Sequence, residues 1–255
     1  VYTTLSQVTN LIWSKRMLSV TDQKNVEIKG DFKTSSVTIQ ATPEAFETLS
    51  KDLYTNLEQA IIREYSCNAW DAHQDAGVTK PFEVHLPTTL EPWFSVRDFG
   101  FGLDEEDVRN VFASYFNSSK RDTNTQVGFF GLGSKSAFAL ADSYTVTSHH
   151  KGTKQVFSIY KDSENIPKTA LLLEEPTEET GLEVKLTVHG RSNSFEFEAI
   201  RVFQYWDQLP EINSNYVVSC IETWKSELTL VRDDFSVKRT QGRTKAVMGN
   251  VAYQI

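Results

Sequence analysis

One stretch of this chain places a carboxylate and an amide where they could hold water and a cation together. In REYSCNAWDA, the polar or small residues Glu64, Asn68, Asp71 and Ala72 fall at i, i+4, i+7 and i+8. On a helix these positions share one face. A solvated helix face would give the same spacing, but Asn is a mediocre helix former and would not be chosen for stability.

A second stretch, Asp98-Phe99-Gly100-Phe101-Gly102, follows directly after a predicted strand. Two glycines let the backbone approach a flat ligand and adopt positive φ. An aspartate at the end of a strand can accept a hydrogen bond from an exocyclic amine. The alternative interpretation is an ordinary Asp-Gly turn.

A third stretch contains Gly128, Gly131 and Gly133 before a predicted helix that starts at Ser134. Backbone N–H groups at a helix N-terminus, together with the helix dipole, bind anions such as phosphate. The order G-x-x-G-x-G differs from the dinucleotide motif G-x-G-x-x-G. Ser134 also separates Gly133 from Lys135, which takes the lysine out of register for a Walker motif. Both of those nucleotide-binding motifs are therefore rejected.

Competing chemistries find little support in the sequence. His149 and His150 are adjacent, so on a strand their side chains point to opposite faces and cannot share a metal. Two cysteines, Cys67 and Cys220, cannot build a disulfide framework, and we expect Cys67 to pack rather than react.

The elements that must position these stretches can be predicted in outline. A helix is expected from about Thr55 to Gln74, with Gly77 as its left-handed cap, and a shorter one from Ser134 to Asp142. The other predicted helices lie in DEEDVRNVFASYF, in SFEFEAIRVFQYWDQ and after Thr42-Pro43. The predicted strands are SSVTIQAT, PFEVHL, WFSVRD, SYTVTSH, KQVFSIYK, ALLLEE, LEVKLTVH, NYVVSCIE and SELTLVR.

Helices interleaved with a largely antiparallel sheet predict an α+β fold, a two-layer α/β sandwich. We divide the chain into an N-terminal extension or strap at 1–33, a ligand-binding domain at 34–190, and the start of a second α/β subdomain at 191–255. The 255 residues carry a net charge of −8, which disfavours binding to naked nucleic acid. Neither a signal peptide nor an apolar run long enough to span a bilayer is visible.

Together and in this order, E-x-x-x-N-x-x-D-A, D-x-G-x-G and G-x-x-G-x-G resemble the three motifs of the GHKL ATPases (gyrase, Hsp90, histidine kinase and MutL). The resemblance covers roughly residues 35–190 and implies the Bergerat fold, ATP, Mg²⁺ and ATP hydrolysis. It makes Glu64 the general base, Asn68 the Mg²⁺ ligand and Asp98 the acceptor for the adenine amine. The other positions it assigns to the nucleotide are Asp71, Ala72, Gly100, Gly102, Leu103, Ser119, Lys120, Gly128, Gly131, Leu132, Gly133 and Thr180.

Two departures from the family pattern bear on these assignments. Relatives often have Gly-Thr in the strand near residue 181, whereas this chain has Thr180-Gly181. Many relatives also take a phosphate-sensing Lys or Arg from the following domain, and no such residue is identified here.

Longer segments, among them RDFGFGL, SYFNSSK and GFFGLGSKSAFALADSYTVTSHHKG, resemble the RIIA family of phage rapid-lysis proteins. That resemblance implies the N-terminal part of a longer protein, located in the host cytoplasm, either free or peripheral at the inner membrane. It also implies a companion RIIB-type phage protein as partner. The GHKL resemblance implies an ATP-bound homodimer supported by the strap at 1–33, with 191–255 as a transducer-like subdomain.

Two other functions stay open, and a third is disfavoured. A nucleotide-binding interaction module without hydrolysis would have no need of Glu64. A DNA-directed ATPase is opposed by the acidic balance, but only within these residues. A histidine kinase needs a phospho-accepting His on a preceding helix, and no histidine precedes His73.

Overall fold

The computed structural model of the chain describes residues 55–113, 133–227, 230–231, 236–237, 245–248 and 250–254. The extension at 1–33, the strand SSVTIQAT and the helix predicted after Thr42-Pro43 lie outside these residues. The same is true of five predicted site residues, Ser119, Lys120, Gly128, Gly131 and Leu132.

The long helix α1 spans Leu57–Ala76 and supplies the first motif. It begins where the Asn56 side chain accepts a hydrogen bond from the Gln59 backbone N–H, at 2.9 Å. It ends at Gly77, whose φ of +66° is left-handed, so the predicted cap is confirmed.

A mixed sheet of seven strands forms the second layer. The strands are β1 (Glu83–His85), β2 (Trp93–Arg97), β3 (Ser143–His150), β4 (Thr153–Lys161), β5 (Pro167–Pro176), β6 (Gly181–Thr187) and β7 (Glu211–Ile212). Their order across the sheet is β5-β4-β3-β6-β2-β1-β7. All neighbouring strands are antiparallel except β1 and β7, which are parallel.

Apolar side chains in register across the sheet form the core. Val84, Val96, Val184, Val146 and Phe157 are paired in that order across five strands, and all five are buried. Because alternate residues of a strand face one side of a sheet, this row packs towards the helical layer. The predicted α+β two-layer sandwich is therefore confirmed.

Short helical segments connect these layers. Helix α2 (Glu105–Val108) is capped by Asp104 and continues as a π-helical turn over Arg109–Ala113. The helix predicted from Ser134 is a 3₁₀ segment over Gly133–Ala139, and it packs against α1.

The helix predicted in SFEFEAIRVFQYWDQ is confirmed as α3 (Ser192–Phe203), whereas the strand predicted at NYVVSCIE is wrong. This segment is helix α4 (Asn215–Ser226), with Ser214 as its N-cap. Val217 and Ile221, one helical turn apart, are both fully buried, so the apolar pattern has the helical period and not the period of a strand.

Beyond residue 190, α3 packs against α1 and β7 extends the main sheet beside β1. Two small pairs of antiparallel strands are separate from that sheet. They are β8 (Leu230–Val231) with β9 (Ser236–Val237), and β10 (Lys245–Met248) with β11 (Val251–Gln254). The division of the chain at residues 34 and 191 stays a prediction. Within the described residues, no helix has the length and hydropathy needed to cross a membrane.

Candidate functional site

The polar face of α1 is partly buried, which does not fit a simple solvated face. Asp71 is only 3% exposed, and Glu64, Asn68 and Ala72 are half-buried. The Glu64 side chain is 24% exposed, and its Oε1 lies 3.0 Å from Nη2 of Arg63. The Glu64 carboxylate is therefore partly accessible to solvent, and it is paired with the guanidinium of the preceding residue.

Asp98 follows β2 directly and is 6% exposed. Its Oδ1 accepts hydrogen bonds from the backbone N–H groups of Gly100, at 2.9 Å, and Leu182, at 3.2 Å. Among the residues that the structure describes, both donors use Oδ1, which leaves Oδ2 as an acceptor for a ligand amine.

Burial raises the pKa of Asp98 to about 6. The two backbone hydrogen bonds and the nearby Arg97 guanidinium act in the opposite direction, because they stabilise the charged form. A buried carboxylate with so high a pKa is typical of binding sites, where a ligand replaces lost hydration.

Gly100 brings the second motif against the first. A Cβ atom at this position would lie 3.0 Å from the carbonyl oxygen of Ala72 and 3.1 Å from its Cβ. The loop therefore contacts the C-terminal part of α1, and a side chain at residue 100 would require its neighbours to move. Asp98 is in this way placed beside the helix that carries Glu64 and Asn68.

Gly102 and Gly181 are required by the backbone itself. Gly102 has φ +67°, and its Cβ would lie 2.3 Å from the carbonyl oxygen of His149. Gly181 has φ +102°, and its Cβ would lie 2.1 Å from the carbonyl oxygen of Asp98. Strands β3 and β6 thus pass directly behind the loop.

Ser148, which the sequence analysis missed, fixes the far end of this loop. Its Oγ accepts from the Leu103 backbone N–H at 2.8 Å and donates to the Leu103 carbonyl at 2.6 Å. His150 Nδ1 lies 2.8 Å from the Phe101 carbonyl oxygen. A signal was present, because Ser148 is a polar residue in the inward-facing series that includes Tyr144 and Val146.

Thr180 lies beside the same loop and is exposed. Its Oγ1 donates to the Phe99 carbonyl at 3.3 Å. Arg97 donates to the carbonyl oxygens of Thr180, at 2.9 Å, and Asp98, at 2.6 Å. Thr180 is therefore close to Asp98, and its contact with a ligand stays a prediction.

The structure brings parts of all three motifs together. Gly133 begins the 3₁₀ segment that packs against α1, so the third motif ends beside the helix of the first. The amide oxygen of a residue such as Asn68 can coordinate Mg²⁺, which usually binds one or two protein oxygens together with phosphate oxygens and water. Together with the unused Oδ2 of Asp98, this donor set fits a magnesium nucleotide.

Comparison with known proteins gives a concordant result. Residues 54–188, more than half of the chain, match the model of the family described as histidine kinase-, DNA gyrase B-, and HSP90-like ATPase. The chain is also similar to the chaperone protein HtpG of Rickettsia akari (strain Hartford), with 30% identity over 128 residues. That alignment covers 41% of this chain and 20% of HtpG, so the chain spans about a fifth of the length of the curated relative it matches.

Proposed function

The chain belongs to the histidine kinase-, DNA gyrase B- and HSP90-like ATPases, and we propose that it binds ATP between α1 and the loop that follows β2, and hydrolyses it. The observation that carries this proposal is the Asp98 carboxylate, which is buried and fixed through Oδ1, with Oδ2 left as an acceptor. The adenine amine would donate to Oδ2.

Hydrolysis is assigned to α1. Glu64 lies two helical turns before Ala72 on the same face, so a nucleotide whose base contacts Asp98 would direct its phosphates towards the N-terminal half of that face. Glu64 would orient a water molecule and take its proton as the water oxygen forms a bond to the γ-phosphorus. The bond from the γ-phosphorus to the bridging oxygen breaks, and ADP leaves with that oxygen.

Mg²⁺, when bound through Asn68 and the phosphates, would neutralise the charge on the transferred group. The glycines of the third motif would supply backbone N–H donors to the same phosphates. Asp71, Ala72, Leu103, Ser119, Lys120 and Thr180 complete the proposed contacts to the nucleotide.

A more specific role is also proposed, on the likeness of the quoted segments to the phage RIIA family. In this role, ATP gates a homodimer supported by residues 1–33, in lysis control or protection against exclusion. A RIIB-type protein would be the companion, and the site of action would be the host cytoplasm, either free or peripheral at the inner membrane.

The test is magnesium-dependent phosphate release by the chain and by Glu64→Gln. We expect the variant to bind ATP with unchanged affinity and to lose at least about a hundredfold in turnover, since a positioned base contributes ~10²–10⁴. Glu222→Gln, which changes an exposed carboxylate on α4, is the matched control. Equal turnover by Glu64→Gln and the parent would reject Glu64 as the base.

A further inference from the structure

His73 is a buried titratable residue that the proposed chemistry does not use. It follows Ala72 in the last turn of α1, and it is 3% exposed. Its ring lies between those of Phe82, at 6.0 Å, and Phe99, at 5.9 Å between centroids. The side chain therefore points from α1 into the space behind the loop that follows β2.

The His73 ring accepts one hydrogen bond and donates another. Nε2 accepts from the Phe99 backbone N–H at 2.9 Å. A second bond joins the ring to the backbone of Lys80, and it favours the protonated ring, so here a ring N–H donates to a carbonyl. The two partners fix one neutral tautomer, with Nε2 unprotonated.

The bond to Phe99 acts on the peptide unit that links Asp98 to Phe99. The N–H side of this unit is held by His73, and its carbonyl side accepts from Nη1 of Arg97 at 2.6 Å. Rotation of this peptide plane would move the Asp98 carboxylate on one side and Gly100 on the other. Fixing the plane thus fixes the acceptor proposed for adenine.

We propose that His73 is the positioning residue of the adenine-recognition loop. This role rests on the proposed ATP site. By accepting from the Phe99 N–H, His73 keeps the loop at a fixed distance from the α1 face that carries Glu64. Burial lowers the pKa of His73, with the Lys80 ammonium adding to the effect, and this keeps Nε2 available as an acceptor at neutral pH. The residue touches neither the base nor the phosphates in this account.

The test compares His73→Leu, His73→Gln and the control His85→Leu in the full chain. His85 lies on β1, where its Nδ1 is 3.0 Å from the carbonyl oxygen of Trp93, the first residue of β2, whereas the loop follows the last residue of that strand. Leucine leaves the Phe99 N–H without its acceptor, whereas the glutamine carbonyl can replace Nε2. By calorimetry with Mg·ADP, we expect Kd to rise about tenfold or more in His73→Leu, and by less than about threefold in His73→Gln and His85→Leu.

A measurement without nucleotide separates positioning from general stability. Exchange of the Phe99 amide hydrogen should accelerate in His73→Leu and return towards the parent rate in His73→Gln. In the parent itself, ¹⁵N NMR should show Nε2 of His73 unprotonated and coupled to the Phe99 N–H. That spectrum tests the inference even if His73→Leu does not fold.

The outcomes distinguish this inference from the proposed function. If the parent binds no Mg·ADP, the proposed ATP site fails, and the role in adenine recognition fails with it. If the parent binds and His73→Leu binds equally well, only the role of His73 is overturned. A protonated Nε2 in the parent would overturn it as well.

Discussion

Replacing Asp98 by Asn should stabilise the ligand-free protein at pH 8, although the same change should remove nucleotide binding. Asparagine keeps Oδ1 as the acceptor for the Gly100 and Leu182 N–H groups. It removes a carboxylate whose pKa burial raises from 3.8 to about 6. One unit of pKa corresponds to about 1.4 kcal/mol, so ionising Asp98 costs about 3 kcal/mol more in the folded than in the unfolded chain.

The sign follows from the direction of the pKa change. Because the pKa is higher in the folded state, the stability that Asp98 contributes is complete below pH 3.8 and is lost as pH rises through about 6. The free energy of unfolding of Asp98→Asn minus that of the parent should therefore be near zero at the acid end. It should rise to about 3 kcal/mol at pH 8, an upper estimate.

Urea unfolding at a series of pH values, without nucleotide, measures this difference. Asp162→Asn is a control with the opposite sign. Asp162 is half-buried, and hydrogen bonds from the backbone N–H groups of Ile166 and Glu164 lower its pKa. This second variant should be less stable than the parent at pH 8 and equal to it in acid.

Two results would refute this reasoning. An Asp98→Asn protein that is less stable than the parent at pH 8 would mean that the buried charge is needed by the fold. A stability difference that stays constant from acid to pH 8 would mean that Asp98 does not titrate in this range.

Other predictions concern the loop, its supports and the N-terminal extension. In thermal unfolding, Gly102→Ala should be less stable than Gly152→Ala by about 2 kcal/mol or more, because backbone strain and a backbone clash add. Both glycines have positive φ, but only a Cβ at residue 102 meets backbone atoms. Ser148→Ala should cost about 1–3 kcal/mol, because the polar groups of Leu103 lose their partner. Deleting residues 1–33 should weaken self-association with an ATP analogue in sedimentation experiments, and unchanged sedimentation would remove the strap hypothesis.

The local parts of the site follow from sequence because each depends on neighbouring residues. Glycine at position 77 predicts the end of α1, and the Asp-Phe-Gly order after a strand predicts where Asp98 lies. Both features are local, because φ preferences and strand ends are determined by a few neighbouring residues.

The supports of the site depend on contacts between distant residues, and the sequence did not show which residues are in contact. His73 and Phe99 are 26 residues apart, and Ser148 is 45 residues from Leu103. The order of strands places β6 between β2 and β3, which no periodicity indicates. In α4, two adjacent valines favoured a strand by propensity, and burial on one helical face decided otherwise.

Recognition of the adenine ring by Asp98 is tested most directly by the nucleotide selectivity of the parent protein. Calorimetric titration at pH 8 should show binding of Mg·ATP and much weaker binding of Mg·GTP, because guanine presents a carbonyl oxygen to the carboxylate where adenine presents an amine. Asp98→Asn should lose the binding of ATP. Equal binding of both nucleotides, or no binding of ATP by the parent, would contradict the account.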